Sequence, residues 1–333
     1  MQQPVTIIDV AKAAGVSPST VSHTLNGKRP VSDATQRRVL EAIETLGYVP
    51  SWNASRLKQN ASGIIGVLAA DITETFVNQI VRGIEYGLSG GDYSLFFVSG
   101  LEFGNDLKRA YNFLKSHQVD GILFCHHIPL WKEFNLDPKR SDIPIISLNM
   151  QSADMISVVI DNETGGRQAA EHLYSCTMGH PAIICGPEDR LSTIDRLSGF
   201  SQRISELQLT LPDDPYYGAY DFEHGFEAAT HLMDTHPETD SIFCANDYIA
   251  AGAISAVIKS GRSIPEEVRV IGFDNRDFTA FWPIPISTFE QPLQQIGILG
   301  ASILKQVIHT GTYTPTTHVL QSRLIPRAST IRH

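Results

Sequence analysis

Cysteine is scarce: Cys125, Cys176, Cys185 and Cys244 stand far apart with no CxxC pair, so neither a zinc site nor a disulfide framework has support. Long apolar runs are missing as well. No stretch approaches the roughly eighteen apolar residues of a membrane helix, and the opening MQQPVTIIDVAKAAG has no cationic leader before an apolar segment. A cytoplasmic protein with no membrane partner is expected. Catalytic signatures are absent too: no GxSxG elbow, no P-loop, no dinucleotide glycine fingerprint and no metal-ligand spacing occur. The expectation is a protein that is not an enzyme and uses no cofactor or metal.

What is present is divided unevenly. A chain of 333 residues, 42% hydrophobic, exceeds one ordinary core and suits a small module with a larger two-lobed body. The net charge of −10 conceals a basic start. Residues 1–60 hold seven Lys/Arg (Lys12, Lys28, Arg29, Arg37, Arg38, Arg56, Lys58) against Asp9, Asp33, Glu41 and Glu44, and the remainder is strongly acidic. Phosphate would attract the first part and repel the second.

Helix punctuation is dense in that basic start. Thr6-Ile-Ile-Asp9 has the form of a capping box, and Ile7, Val10, Ala11 and Ala14 follow at helical spacing before Gly15 permits a turn. Ser17 followed by Pro18 then opens a second short helix, about Pro18 to Leu25. Two short helices across a glycine turn form a helix-turn-helix, whose second helix enters the major groove. Val21 and Leu25 face inward on this reading, and Pro18, Ser19, Ser22 and His23 face DNA. A third helix, about Ser32 to Leu46, closes the core with Val39, Ile43 and Leu46, and Gly47 stops it. The same pattern also suits a helical hairpin that never meets DNA.

The strings TIIDVAKAAGVSPSTVSHTLNGKRPVSDATQRRVLEAIETLGYVPS and NASRLK resemble the headpiece and hinge of the lactose, galactose and purine repressor family almost end to end. The resemblance implies that Pro18, Ser19 and His23 read base edges while Ser17, Thr20, Ser22 and Asn26 hold phosphates, with Thr6 and Arg29 completing the contact set. It further implies that the segment 50–61, too polar to hold a helix alone, folds on the operator, with Leu57 wedged into the minor groove and Lys58 over phosphate.

From Ser62 the chain alternates apolar runs with helical stretches: GIIGVLAAD, YSLFFVSG, GILFCHH and IPIISLN, then PAIICGP, SIFCAND, VRVIGFDN and ISTFEQP. Helices are expected over about Phe76 to Leu88 and Asn105 to His117. Such alternation argues for two doubly wound parallel sheets, with ligands beyond the carboxyl ends of the strands. The fold class expected is therefore an all-α three-helix headpiece (1–49), a hinge (50–61) and an α/β core (62–333). This core resembles the periplasmic sugar-binding proteins, and the resemblance implies three crossings, near Asp161, Gln291 and Leu320. The first lobe is then about 62–160 with 292–319, and the second about 161–291 with 320–333.

By position the family's effector contacts fall on Phe76, Asn149, Arg190, Arg196, Tyr220, Asn246, Asp247 and Asp274. Arginine forks, a carboxylate and aromatic faces, with Trp282 as a further aromatic, suit a hydroxylated ligand. Pairing of Arg190 with Asp189 and helix capping by Asp247 are the plain alternatives, and of His126 and His127 at least one points elsewhere. A sugar or sugar derivative is the effector expected first, a nucleobase or nucleoside second. A sugar-binding protein without regulatory function would share the core but not the head. The implied assembly is a homodimer on a pseudo-palindromic operator, and with the sequence closing on RLIPRASTIRH no leucine heptad tail for a tetramer is expected.

Overall fold

The structure is a computed structural model that describes residues 5–26, 29–48, 61–69, 71, 75–90, 93–104, 106–125, 141–176, 178–212 and 215–331. Two compact units divide the chain at Ser62 and Gly63.

The first unit holds three helices: α1 (Ile7–Ala14), α2 (Pro18–Asn26) and α3 (Asp33–Leu46). Thr6 is the cap of α1, and the reciprocal box with Asp9 forms, Thr6 Oγ1 donating to Asp9 Oδ2 over 2.6 Å. That bond holds the Asp9 carboxyl below its ordinary value. Gly15 closes α1 at φ 62°, a conformation that lacks steric cost only in glycine. Val10, Ala11, Ala14, Val21, Val39 and Ala42 form the buried centre, with Ile7, Leu25, Ile43 and Leu46 packed around it. The second and third helices match their expected spans to within a residue at each end.

The second unit begins with β1 (Ile64–Ala69), α4 (Thr75–Gly87), β2 (Ser94–Ser99), α5 (Leu107–Ser116), β3 (Gly121–Cys125), β4 (Ile145–Leu148) and β5 (Ile156–Ile160). It continues with α6 (Asn162–Ser175), β6 (Pro181–Ile184), α7 (Leu191–Glu206), α8 (Phe222–Thr235), β7 (Ser241–Cys244), α9 (Asp247–Lys259) and β8 (Arg269–Ile271). Last come β9 (Thr288–Glu290), α10 (Leu293–Thr310), β10 (Thr317–Leu320) and β11 (Arg323–Ile325).

One lobe is built on a six-stranded sheet in the order β10-β5-β4-β3-β1-β2, every neighbour parallel. Alternate residues of β1 serve opposite faces. Ile65, Val67 and Ala69 meet Ile80, Ile84 and Leu304 from α4 and α10, whereas Leu68 meets Leu107 and Leu114 from α5. Burial on both faces explains why the strands read as unbroken apolar runs. The other lobe has the parallel order β6-β7-β8, with β9 and β11 paired antiparallel beside it. Strands β5, β10 and β11 were not among the expected runs.

Within each lobe the helices approach closely. At the crossing of α6 and α7, a Cβ on Gly166 would lie 2.1 Å from the Arg196 carbonyl oxygen, and one on Gly199 1.9 Å from that of Glu163. Only hydrogen fits there. Gly83 with Gly297 and Gly225 with Gly252 play the same part between α4 and α10 and between α8 and α9.

The chain passes between lobes after β5, after β9 and after β10. The first and last passages are tied together: the Asp161 amide donates to the Leu320 carbonyl over 3.0 Å, and Gln321 Nε2 donates to Asp161 Oδ2 over 2.9 Å.

Candidate effector cleft and DNA-reading head

In the head, Ser17 starts α2 as its position predicts: its Oγ accepts the Thr20 amide at 3.1 Å and lies 2.7 Å from Ser19 Oγ. Ser17, Pro18 and Ser19 are exposed, while Thr20, Ser22 and His23 are half-buried. Thr6 and Arg29 are exposed. Ser17, Ser19, Thr20, Ser22 and His23 thus place hydroxyls and one imidazole on or beside the second helix, with Thr6 at the start of the first and Arg29 beyond the end of the second. The Asn26 side chain, Leu57, Lys58, His126 and His127 lie outside the described residues.

In the core, a cavity of about 440 Å³ opens beyond the carboxyl ends of the strands of both lobes. Phe76 near the start of α4, Asn149 after β4, Arg190 and Arg196 at and within the start of α7, Tyr220 before α8, Asn246 after β7 and Asp274 after β8 all line it. The fold brings these seven candidates, scattered over two hundred residues, to one wall-to-wall site of the size typical for small ligands. Asn149 and Asp274 sit at positive φ, 66° and 112°. Such backbone in a non-glycine residue costs about 1–3 kcal/mol and collects at binding sites.

Asp247, the eighth candidate, does not line the cavity. It is completely buried, accepting Thr288 Oγ1 at 2.6 Å and the Arg276 amide at 2.7 Å. Its place in the first turn of α9 turns the carboxylate toward the loop 274–276, under Gly272. Burial, reinforced by the charge of Asp274, raises its carboxyl well above the ordinary value. Asp274 is raised by burial as well, against the pull of Arg196 and Arg276.

Arg196 is buried and heavily engaged. Its Nε donates to Asn162 Oδ1 at 2.9 Å, one Nη donates to the Ala245 carbonyl at 2.5 Å, and its guanidinium carbon lies 3.7 Å from the Phe273 ring centre. Asp274 Oδ1 is 3.9 Å from the same Nη, and Gln291 Nε2 also donates to that oxygen. Asn246 caps α9, its Oδ1 accepting the Ile249 amide at 2.8 Å, while its Nδ2 donates to the Tyr220 carbonyl at 3.5 Å and keeps one N–H for a ligand. The Tyr220 hydroxyl is anchored to Thr193 Oγ1 at 2.7 Å. Trp282 stacks instead on Phe222 and does not line the cavity.

Among the lining residues that escaped the sequence reading are Asn162, Tyr248, Arg276 and Gln291. Tyr248 follows CAND and Arg276 follows GFDN directly, so adjacency to a recognised strand end was the available signal. Gln291 and Asn162 stand at lobe crossings, where only the tertiary path makes them neighbours of the ligand space. Cys125 also borders the cavity, its thiol pushed up to about 12 by burial and so inert as a nucleophile. A second cavity, about 240 Å³ and bounded by Ile183, Leu197, Leu211 and Pro215, offers no charged group. Among the described residues, no cluster of His, Cys, Asp and Glu could hold a metal ion, and no helix is long and apolar enough to cross a membrane.

A three-helix DNA-reading unit in one chain with a two-lobed, polar ligand cleft defines a ligand-responsive regulator of transcription. Residues 6–51 match the family described as bacterial regulatory proteins, lacI family, and residues 62–331 match the periplasmic binding proteins and sugar binding domain of the LacI family. The chain belongs to the LacI family of DNA-binding transcriptional regulators. It is 32% identical over 310 residues to the HTH-type transcriptional repressor PurR of Aliivibrio salmonicida, covering 91% of this chain and 92% of that protein. It is similar to the Lac repressor dimer bound to operator and the anti-inducer ONPF, with a TM-score of 0.87, 26% identity, and coverage of 99% of this chain and 100% of the other. A complex of the transcriptional regulator CelR with cellobiose is similar at a TM-score of 0.70 and 28% identity, covering 98% and 99% of the two chains.

Proposed function

We propose that this protein is a cytoplasmic, non-enzymatic repressor that binds operator DNA as a homodimer and is controlled by a sugar or sugar derivative held between the lobes of its core. The reading rests on one observation above all: arginine forks, amide side chains, a carboxylate and the faces of Phe76, Tyr220 and Tyr248 converge on one cavity. Guanidinium and amide groups donate to hydroxyls, Asp274 accepts from them, and aromatic faces cover the apolar side of a sugar ring.

Pro18, Ser19 and His23 read bases on this account, with Ser17, Thr20, Ser22, Asn26, Thr6, Arg29 and Lys58 on the backbone and Leu57 at the operator centre. The ligand exerts control by preferring one angle between the lobes, which sets whether the two hinges can pair. The relatives named PurR favour a second reading, in which a nucleobase occupies the same space between aromatic faces.

A thermal-shift screen of the full chain against sugars, phosphosugars, nucleosides and nucleobases separates the two, because a ligand that binds only the native state raises Tm. The active sugar should lose about ten- to a hundredfold in affinity on Asp274→Asn, the effect of removing a charged hydrogen-bond acceptor. Operator affinity without ligand should hold. Stabilisation by nucleobases alone, with no response to any sugar, would reject the first reading.

A further inference from the structure

Charge is unbalanced around the cavity. Three guanidiniums, those of Arg190, Arg196 and Arg276, line it against the single carboxylate of Asp274. That carboxylate is already shared, lying 3.9 Å from Arg196 Nη1 and 3.6 Å from Arg276 Nε. Arg196 is further spent on Asn162 and Ala245, and the Arg276 guanidinium lies 5.4 Å from the Tyr248 ring centre.

Arg190 differs from both. Its acidic neighbour Asp189 lies 3.9 Å away, and that side chain is 86% exposed while Arg190's own is 35% exposed. An ion pair so open to water holds its partner weakly. Arg190 therefore keeps its fork of donors available at the mouth of the site, where a closing ligand would strip its water and leave the cation to be matched.

Building on the effector reading above, we propose that the effector is an anionic sugar derivative, carrying a carboxylate or a phosphate monoester, and that Arg190 binds the anionic group. The hydroxylated ring then lies among Asp274, Asn246 and the aromatic faces. A neutral sugar would leave the Arg190 guanidinium without a buried counter-charge in the closed cleft, whereas a negative group on the ligand would pair with it directly. Arg190 is in this role the specificity-determining residue for charge, and Asp274 for hydroxyls.

The test is calorimetry on the full chain with matched probes: aldohexoses and aldopentoses, their uronic and aldonic acids, their phosphate monoesters, and guanine and hypoxanthine. At least one acid or phosphate should bind about tenfold or more tighter than its neutral parent, the worth of one charge-assisted contact. Added salt should erode that margin and leave the parent's affinity alone. Which series responds identifies the anion.

Arg190→Gln should abolish the margin and Arg190→Lys restore part of it, both with the Tm of the unliganded protein, since the side chain is partly exposed and supports no core packing. If a neutral sugar binds as tightly as its acid and phosphate, or Arg190→Gln leaves the margin intact, the charge assignment is wrong while the sugar reading stands. If guanine or hypoxanthine binds and no carbohydrate does, both fall together.

Discussion

Replacing Asp247 tests how the cleft is held in shape. Its carboxylate stands behind the wall, gripping the loop that presents Asp274 and Arg276, and it accepts from Thr288 Oγ1 and the Arg276 amide. Asp247→Ala strands both donors in a site without exposed surface. Each orphaned donor costs about 1–3 kcal/mol, offset in part because the variant no longer buries a carboxylate, so a net loss of about 2–4 kcal/mol is expected. In a unit of this size that lowers Tm by ~5–10 °C. Asp247→Asn keeps an acceptor for the Arg276 amide and leaves at most one hydroxyl proton unmatched, so its loss should be about half as large.

Acidity supplies a second reading of the same variants. The Asp247 carboxyl is raised by burial and by the charge of Asp274, so the native state holds its proton when the unfolded chain has released it. Stability is then greatest below the ordinary carboxylate value and falls as pH climbs from there through the raised native value. Asp247→Asn removes this slope, and its deficit against the parent should shrink with rising pH. Urea titrations of the three proteins at several pH values measure both effects. An alanine variant as stable as the parent, or an asparagine variant whose deficit widens with pH, would refute the reasoning.

His23→Ala should relax operator preference at one base pair per half-site by ~1–3 kcal/mol, read in gel shifts over a series of substituted duplexes; an unaltered ranking removes His23 from base reading. Gly199→Ala forces a methyl group against the Glu163 carbonyl and should cost at least about 1–3 kcal/mol, seen as a lower Tm. Full stability in that variant would contradict the close crossing of the two helices.

Much of the head was legible because its signals are local. Thr6, Ser17 and Gly15 each act on backbone groups within four residues, and each does in the structure what its type and position suggest. The core was legible where strands are long and buried on both faces. Strand β10 was not, since Thr317–Leu320 is short, leaves Val319 exposed, and finds its partner β5 some 160 residues earlier. Strand β11 has only three residues and owes its existence to β9.

The cleft divides in the same way. Residues at strand ends, such as Asn149 and Asp274, could be placed, because the alternation gathers such ends on one edge of a sheet and the family resemblance marks these positions among them. The direction of a side chain could not. Asp247 follows Asn246 immediately, yet one caps the helix at the cavity and the other turns behind it. Arg276 and Gln291 reach the site through a loop path and a crossing that no sequence period encodes.

The bond between Asp161 and the segment Leu320–Gln321 gives the core an axle. Two of its three connections are pinned side by side there, so a change in the angle between the halves would turn about that line. The gape of the jaw then becomes a single variable, and molecules of different shape that wedge it to the same degree would send the operator the same message.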